Sequence, residues 1–442
     1  MNPQIASNSS SSLLSTISSS SAVMTNPYVY SQTANVDSFC STQWVKSVPT
    51  SGSLSSNSTL NFDIPKMGLV GRAILDIPFK VGSGRDTDDV ICPNYPLWAI
   101  NEIVISSQGR TISRLDRSCI MARIGERPSY TKDGIVDNLR LKNTAETSDT
   151  NFPGAAGVAQ HSYLSLDFAF NDNQYAIDTL FLQSIRISVT IGNLGVLTKT
   201  KTSNAFNANL EYSSPAIYLQ YKNQNQVDSD ALTSANYSSG LLSQIIPTMV
   251  SETTQYVPFS AVGQPNELIC ELKETSCIEN IYVMMMVHPE DSGTAATTTN
   301  PVAAGDPFTN ETGQPLPISG NIVFSSNGQN WFDLPARLIG AFGLESQHGR
   351  NAYSNVPIQT VSGNDSPLAY VYVINMAQGG LVDNKLSGLL SMRELSNPRI
   401  SCTANSTAYT AGKKVALHVC YNTRQLSTVV SSSGQYNISL SN

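Results

Sequence analysis

The sequence predicts an all-β protein built as two tandem sandwiches. Apolar residues recur with period two in one segment after another, and helical periodicity is nearly absent. Long stretches rich in Gly, Pro, Thr and Asn separate the patterned segments. At 442 residues the chain is too long for one sandwich, and the strand-rich blocks on either side of Ser213 are of similar length. The reading divides the chain into an arm at 1–24, a first unit at 25–212 and a second at 213–442.

Residues Ser7 to Ser21 are mostly serine, a run that buries too little apolar surface to offset the entropy of ordering it. This arm is expected to be flexible until a partner orders it. In the first unit, Ala73, Leu75, Ile77 and Phe79 alternate with Ile74, Asp76, Pro78 and Lys80. Ile185, Ile187, Val189 and Ile191 alternate with Ser184, Arg186, Ser188 and Thr190. Ile217, Leu219 and Tyr221 repeat the pattern, as do Ile281, Val283, Met285 and Val287. Each reads as a strand with one face in a core. Turn clusters fall between them at Gly82-Ser83-Gly84, Ser106 to Gly109 and Ser326-Asn327-Gly328. Asn327-Gly328 suits the positive backbone angles of a tight hairpin. Leu115–Ile124 and Leu241–Val250 are expected as short helices, the second interrupted at Pro247. The loops at 291–318 and 344–366 are long enough to be interaction surfaces.

Charged residues are 13% of the chain, about half the usual share, and apolar residues are 40%. That composition excludes a coiled coil and describes a surface largely covered by something. A net charge of −7 argues against nucleic-acid binding through a basic face. The seven cysteines (Cys40, Cys92, Cys119, Cys270, Cys277, Cys402 and Cys420) are scattered, with no CxxC pair, and signal neither a disulfide framework nor a zinc site. They read as small core residues of a protein made in a reducing compartment. The N-terminus lacks a secretory pattern, and no apolar run is long enough for a membrane span.

A search for chemistry yields no catalytic, cofactor or metal residues. His161, His288, His348 and His418 read as isolated, with no HExxH or GxSxG pattern around them. His288 reads as the end of a strand. Gly82 to Asp86 lacks the Gly-Lys-Ser/Thr ending of a phosphate loop. Asp86, Asp88 and Asp89 lack the companions of a calcium loop. Gly412-Lys413-Lys414 reads as an exposed turn, and Met284-Met285-Met286 as core filling.

Several short motifs nevertheless stand in a telling order. They begin with Phe62 to Pro65, Gly71-Arg72 and the strand Ala73 to Phe79, then Ile103 to Ile105, Gln108-Gly109 and Ile112 to Asp116. Leu180 to Leu182 leads into Ile185 to Ile191, and Asn327-Gly328 is followed by Trp331-Phe332. Tyr370 to Met376, Ser387-Gly388, Leu389 to Arg393, Asn397, Ile400 to Cys402 and Tyr421 to Arg424 complete the series. In this order the chain resembles the double jelly-roll major capsid proteins of nucleocytoplasmic large DNA viruses and related icosahedral double-stranded DNA viruses. It departs from their usual pattern at the single glycine of Gln108-Gly109, at Val373-Ile374 and at Leu386.

The resemblance implies two tandem eight-stranded jelly-roll β-sandwiches, with long loops and few short helices. It also implies a homotrimer that forms pseudo-hexagonal capsomers tiling a virus shell. Implied partners are the chain itself, neighbouring capsomers, and minor capsid, cement and penton proteins. An inner membrane is a candidate contact beneath the shell, and no direct nucleic-acid binding or cofactor is expected. The implied place is the virion capsid, assembled inside the infected cell. The outward tower loops are assigned to 291–318 and 344–366, with 125–160 as their counterpart in the first roll. A scaffolding or minor capsid protein of the same fold, a β-sandwich carbohydrate-binding protein and a hydrolase on a β scaffold are the competing readings.

Overall fold

A computed structural model describes residues 41–81, 90–91, 99–125, 159–161, 163–166, 177–179, 184–194, 198–199, 210–223, 241–259, 266–273, 277–288, 308, 316–342, 358–361, 364–367, 370–376, 390–404, 412–432 and 435–441. The serine-rich arm, the Gly82 to Asp89 loop, Leu180 to Leu182, Leu386 to Leu389, and most of the three expected tower segments lie outside those residues.

The first roll holds β1 (Ser41–Ser47), β2 (Thr59–Asp63), β3 (Leu69–Asp76), β4 (Ile100–Ser107), β5 (Arg110–Asp116), β6 (Tyr163–Ser165), β7 (Ile185–Ile191) and β8 (Ala216–Asn223). One sheet runs β1-β8-β3-β6 and the other β2-β7-β4-β5, all antiparallel. The second roll holds β9 (Leu241–Thr253), β10 (Asn266–Glu271), β11 (Cys277–Val287), β12 (Asn321–Ser326), β13 (Gln329–Pro335), β14 (Tyr372–Asn375), β15 (Arg399–Ala404) and β16 (Lys414–Ser432). Its sheets run β9-β16-β11-β14 and β10-β15-β12-β13, the same order as in the first roll. A last strand, β17 (Gln435–Ser441), pairs with the far end of β16. This repeated order, with the first strand beside the eighth and the second beside the seventh, is the jelly-roll arrangement of two packed sheets.

The duplication extends to small devices. The β4–β5 hairpin turns through Gln108 (φ 50°) and Gly109 (φ 77°), and the β12–β13 hairpin through Asn327 (φ 55°) and Gly328 (φ 74°). Both pairs of positive angles fit the primed turn that matches the strands' own twist, so one glycine suffices at Gln108-Gly109. A helix follows the fifth strand in each roll, α1 (Arg117–Gly125) and α2 (Ala336–Phe342). The helix expected from Leu115 is therefore real but begins two residues later, after β5 has ended.

Two expectations are corrected. Leu241–Val250 is not helical: it forms most of β9, paired along its whole length with β16. Its apolar residues fall in doublets that mimic helical spacing, and Pro247 is accommodated because β9 is an edge strand. The division after residue 212 also falls too early. Ala216–Asn223 pairs with β1 and β3 and closes the first roll.

Each roll has its own core, and one sheet serves both. Ile281, Val283, Met285 and Val287 of β11 enter the second core, whereas Tyr282 and Met284 enter the first. Val373 of β14 and Cys420 of β16 face the first core, while Tyr372, Ile374, Val419 and Tyr421 face the second. A strand buried on both faces has no polar positions to alternate, so Met284-Met285-Met286 reads as a continuous run. The end of the 291–318 segment is also core: Leu316 and Ile318 are buried, and the Ile318 N–H donates to the Tyr372 hydroxyl at 2.9 Å.

Candidate functional site

The most chemically dense place among the described residues is the seam between the rolls. The outer face of β9-β16-β11-β14 meets β5 and α1 of the first roll there, and Cys119, Ile120 and Ala122 of α1 are buried with Met249, Tyr282, Met284 and Cys420. Four elements set polar groups into this apolar contact. The end of β5 supplies Asp116, the first turn of α1 supplies Ser118 and Cys119, and paired positions of β9 and β16 supply Ser251 beside Cys420 and Thr253 beside His418.

The groups satisfy one another. Asp116 Oδ1 accepts from the Ser118 hydroxyl at 2.6 Å and from the Cys119 N–H at 2.8 Å, and its Oδ2 accepts from Ser251. Ser118 Oγ lies 2.6 Å from His418 Nε2, which is 3.2 Å from Cys420 Sγ. His418 Nδ1 is held at 2.7 Å by the Thr253 hydroxyl. Buried polar groups are tolerable only when paired in this way.

Electrostatics follow from that geometry. Burial opposes charge on Asp116, but nearby His418, the Ser118 and Ser251 hydroxyls and the Cys119 N–H outweigh it, and the carboxyl sits below its ordinary range. Burial opposes a charged His418 as well, yet the Cys420 sulfur and Asp116 outweigh it and raise the imidazole. Burial drives the Cys119 thiol well up. Cys420 goes the other way against the same burial: its hydrogen bond with Cys119 and the adjacent His418 bring it to about 7.

No site residue stands out in the sequence, and His418, isolated by its spacing along the chain, is not isolated in the fold. His418 stands two residues from Cys420 and is buried against Ser118. The local pairs Asp116/Cys119 and His418/Cys420 are visible in the sequence; their meeting across 302 positions (Ser118 to Cys420) is not. The other residues weighed stay apart. Half-exposed His161 sets its Nδ1 2.9 Å from Oδ2 of the buried Asp76 in the first roll. His288 follows directly after β11, its ring edge-on to Tyr256. His348, Cys40 and Cys92 lie outside the described residues, and the five described cysteines are free thiols. Gly412 (φ 87°) turns the chain into Lys413 and β16.

A second candidate is an open groove of about 970 Å³ between β9 and β10, at the edge of the second roll. It holds Glu252, Glu267, Glu271, Lys273 and Arg399. Glu252 already accepts from the Tyr421 hydroxyl and the Lys273 N–H. Mixed charge of this kind selects no ligand class.

No family model matches the sequence, and no curated protein matches it. Solved structures do. VP54 of PBCV-1, fitted into a reconstruction of the virophage Sputnik, is 13% identical, with 93% of this chain and 100% of that one covered at a TM-score of 0.64. The PBCV-1 virus capsid gives 12% identity, 93% and 100% coverage and 0.63. The Faustovirus major capsid protein gives 8% identity, 91% and 92% coverage and 0.61. At such identities the shared property is the fold: this chain has, over nearly its whole length, the double jelly roll of those capsid proteins.

Proposed function

We propose that the chain is a structural major capsid protein, not an enzyme, and that it builds the shell of an icosahedral virus as a homotrimer. The six rolls of a trimer would form a pseudo-hexagonal capsomer that contacts neighbouring capsomers and minor capsid, cement and penton proteins. The likeness over the whole double jelly roll supports the capsid role. The boundary between the rolls is best drawn in the segment 224–240, which joins β8 to β9.

One observation carries the trimer. Within the chain, the fifth strand and following helix of the first roll cover the outer face of the 1-8-3-6 sheet of the second. The corresponding face of the first roll is open: Trp44 is 46% exposed, and Tyr163, Tyr218 and Lys46 lie on the same side. The corresponding fifth strand and helix of the second roll are open too, with Trp331 53% and Leu338 39% exposed. If the second roll of one copy repeats on the next copy's first roll the contact already made within the chain, two rolls per chain close a ring of six after three chains. Such a head-to-tail contact is closed when the rotation returns on itself. Aromatic side chains with a polar surround suit an assembly contact.

Light scattering on the purified full chain, with negative-stain imaging, tests this. The expected particle is a hexagonal trimer of about 142 kDa from chains of 47.5 kDa. Trp44→Glu and Leu338→Glu are expected to leave folded monomers. A wild-type monomer that binds glycans, or a trimer indifferent to both substitutions, overturns the reading.

A further inference from the structure

The seam carries more than packing. We propose that Cys119, Cys420, His418 and Asp116 form a structural binding site for a zinc-class divalent cation that ties the two rolls together. Asp116, Cys119 and Cys420 each offer a donor atom, and the three donors lie within 4.8 Å of one another. A tetrahedral zinc with sulfur ligands at about 2.3 Å needs its sulfurs about 3.8 Å apart, and a sulfur and an imidazole nitrogen about 3.6 Å apart. The His418 Nε2 to Cys420 Sγ distance of 3.2 Å is already close to that. Closing the shell needs side-chain torsions to draw Asp116 and Cys119 toward His418 and to turn away the Ser118 hydroxyl that lies 2.6 Å from Nε2.

The surroundings match a closed structural site. His418 Nε2 faces the thiol while its Nδ1 is fixed at 2.7 Å by Thr253, the arrangement in which a second hydrogen bond orients a metal-binding imidazole. The Asp116 carboxylate is likewise held by Ser118, Ser251 and the Cys119 N–H. Cys119, Cys420 and His418 are buried and Asp116 is partly so, which suits a structural site better than a catalytic one. Two thiols, an imidazole and a carboxylate form a mixed soft and borderline donor set that favours zinc over calcium or magnesium. Binding releases one proton from each thiol, and one from the imidazole where it is charged. Burial makes loading a step of folding, completed as the rolls dock, and each roll contributes two ligands.

The test uses the full chain, refolded from denaturant with zinc in the presence of a thiol reductant, then dialysed and analysed for metal. One zinc per chain is expected, with an X-ray absorption shell of two sulfurs at about 2.3 Å and two lighter atoms. Refolding with cobalt should give the charge-transfer and visible bands of a tetrahedral thiolate site. Cys119→Ser with Cys420→Ser should lower bound metal at least tenfold, while Cys277→Ser, at a half-buried thiol on the same sheet, should keep it. The absorption shell is read on the wild type, so it stands even if the double variant does not fold. A wild-type chain with less than a tenth of an equivalent, a shell without sulfur, metal retained by a folded double variant, or a Cys119–Cys420 disulfide in place of metal would each overturn the site.

Discussion

Met284 and Met285 are neighbours on β11 and both are buried, yet they belong to different cores. Truncating each to alanine should therefore loosen different parts of the molecule. Met→Ala removes three heavy atoms beyond the β-carbon, about 2.4 kcal/mol of transfer free energy at about 0.8 per group. A residual cavity adds on the order of 1 kcal/mol. Each variant should lose about 3 kcal/mol, which in a unit of about 200 residues lowers the midpoint of thermal unfolding by roughly 6 to 12 °C.

The location of the loss is the sharper readout. In Met284→Ala, hydrogen exchange should accelerate in β5 and α1, across the seam, while β12 and β13 keep wild-type protection. In Met285→Ala the gain should fall on the β10-β15-β12-β13 sheet that faces it across the second core. Equal losses of stability with the same exchange pattern in both variants would refute the view that one sheet separates two cores.

Three further outcomes follow from individual residues. Because Asp116 is held below its usual range, its contribution is present above about pH 3.8 and lost as pH falls through its lowered value; because His418 is raised, its contribution is present below about pH 6.5 and lost as pH rises through its raised value. Urea midpoints of the metal-free chain measured across pH should show both limbs, and Asp116→Asn should flatten the acid one. Gly52→Ala places a β-carbon 2.2 Å from the Thr59 carbonyl oxygen at φ 89°, and should cost about 2 to 4 kcal/mol, whereas Gly109→Ala at φ 77° meets open space and should cost only about 1, as equilibrium unfolding can compare. Tyr221→Phe removes the 2.6 Å hydrogen bond to the Pro65 carbonyl and should lower stability by about 1 kcal/mol without altering assembly, readable by denaturation beside light scattering.

The parts legible in the sequence were those with one core face. Ile185 to Ile191 alternates because one side of β7 is buried, and its burial follows the alternation residue by residue. Asn327-Gly328 was legible because the turn needs two positive angles, and Gln108-Gly109 was less so because Gln108 adopts its angle under the constraint of the paired strands. β9 was misread because its doublets Leu241-Leu242, Ile245-Ile246 and Met249-Val250 carry helical spacing, and only the thirteen-residue pairing with β16 decides between the two. The seam escaped altogether. Its residues are adjacent only after both rolls have formed, and no spacing along the chain encodes the docking of Asp116 and Cys119 on His418 and Cys420.

The two equivalent sheet faces differ in a way that orders the proposed assembly. The covered face of the second roll presents Met249, Tyr282, Met284 and Cys420, small or apolar groups that cannot remain in water without cost. The open face of the first roll presents Trp44, Tyr163 and Tyr218 with Lys46 and Arg72, side chains that tolerate water and still bury large area. In the proposed trimer the seam would be a folding contact and the open face an assembly contact, so the rolls should dock before chains associate. Under rising urea the trimer should dissociate first, its midpoint moving with protein concentration, and the seam should open only later at a midpoint independent of concentration. A single concentration-dependent transition in which β5, α1 and the open face lose protection together would mean that the seam does not hold without neighbours, and that the chain folds only as it assembles.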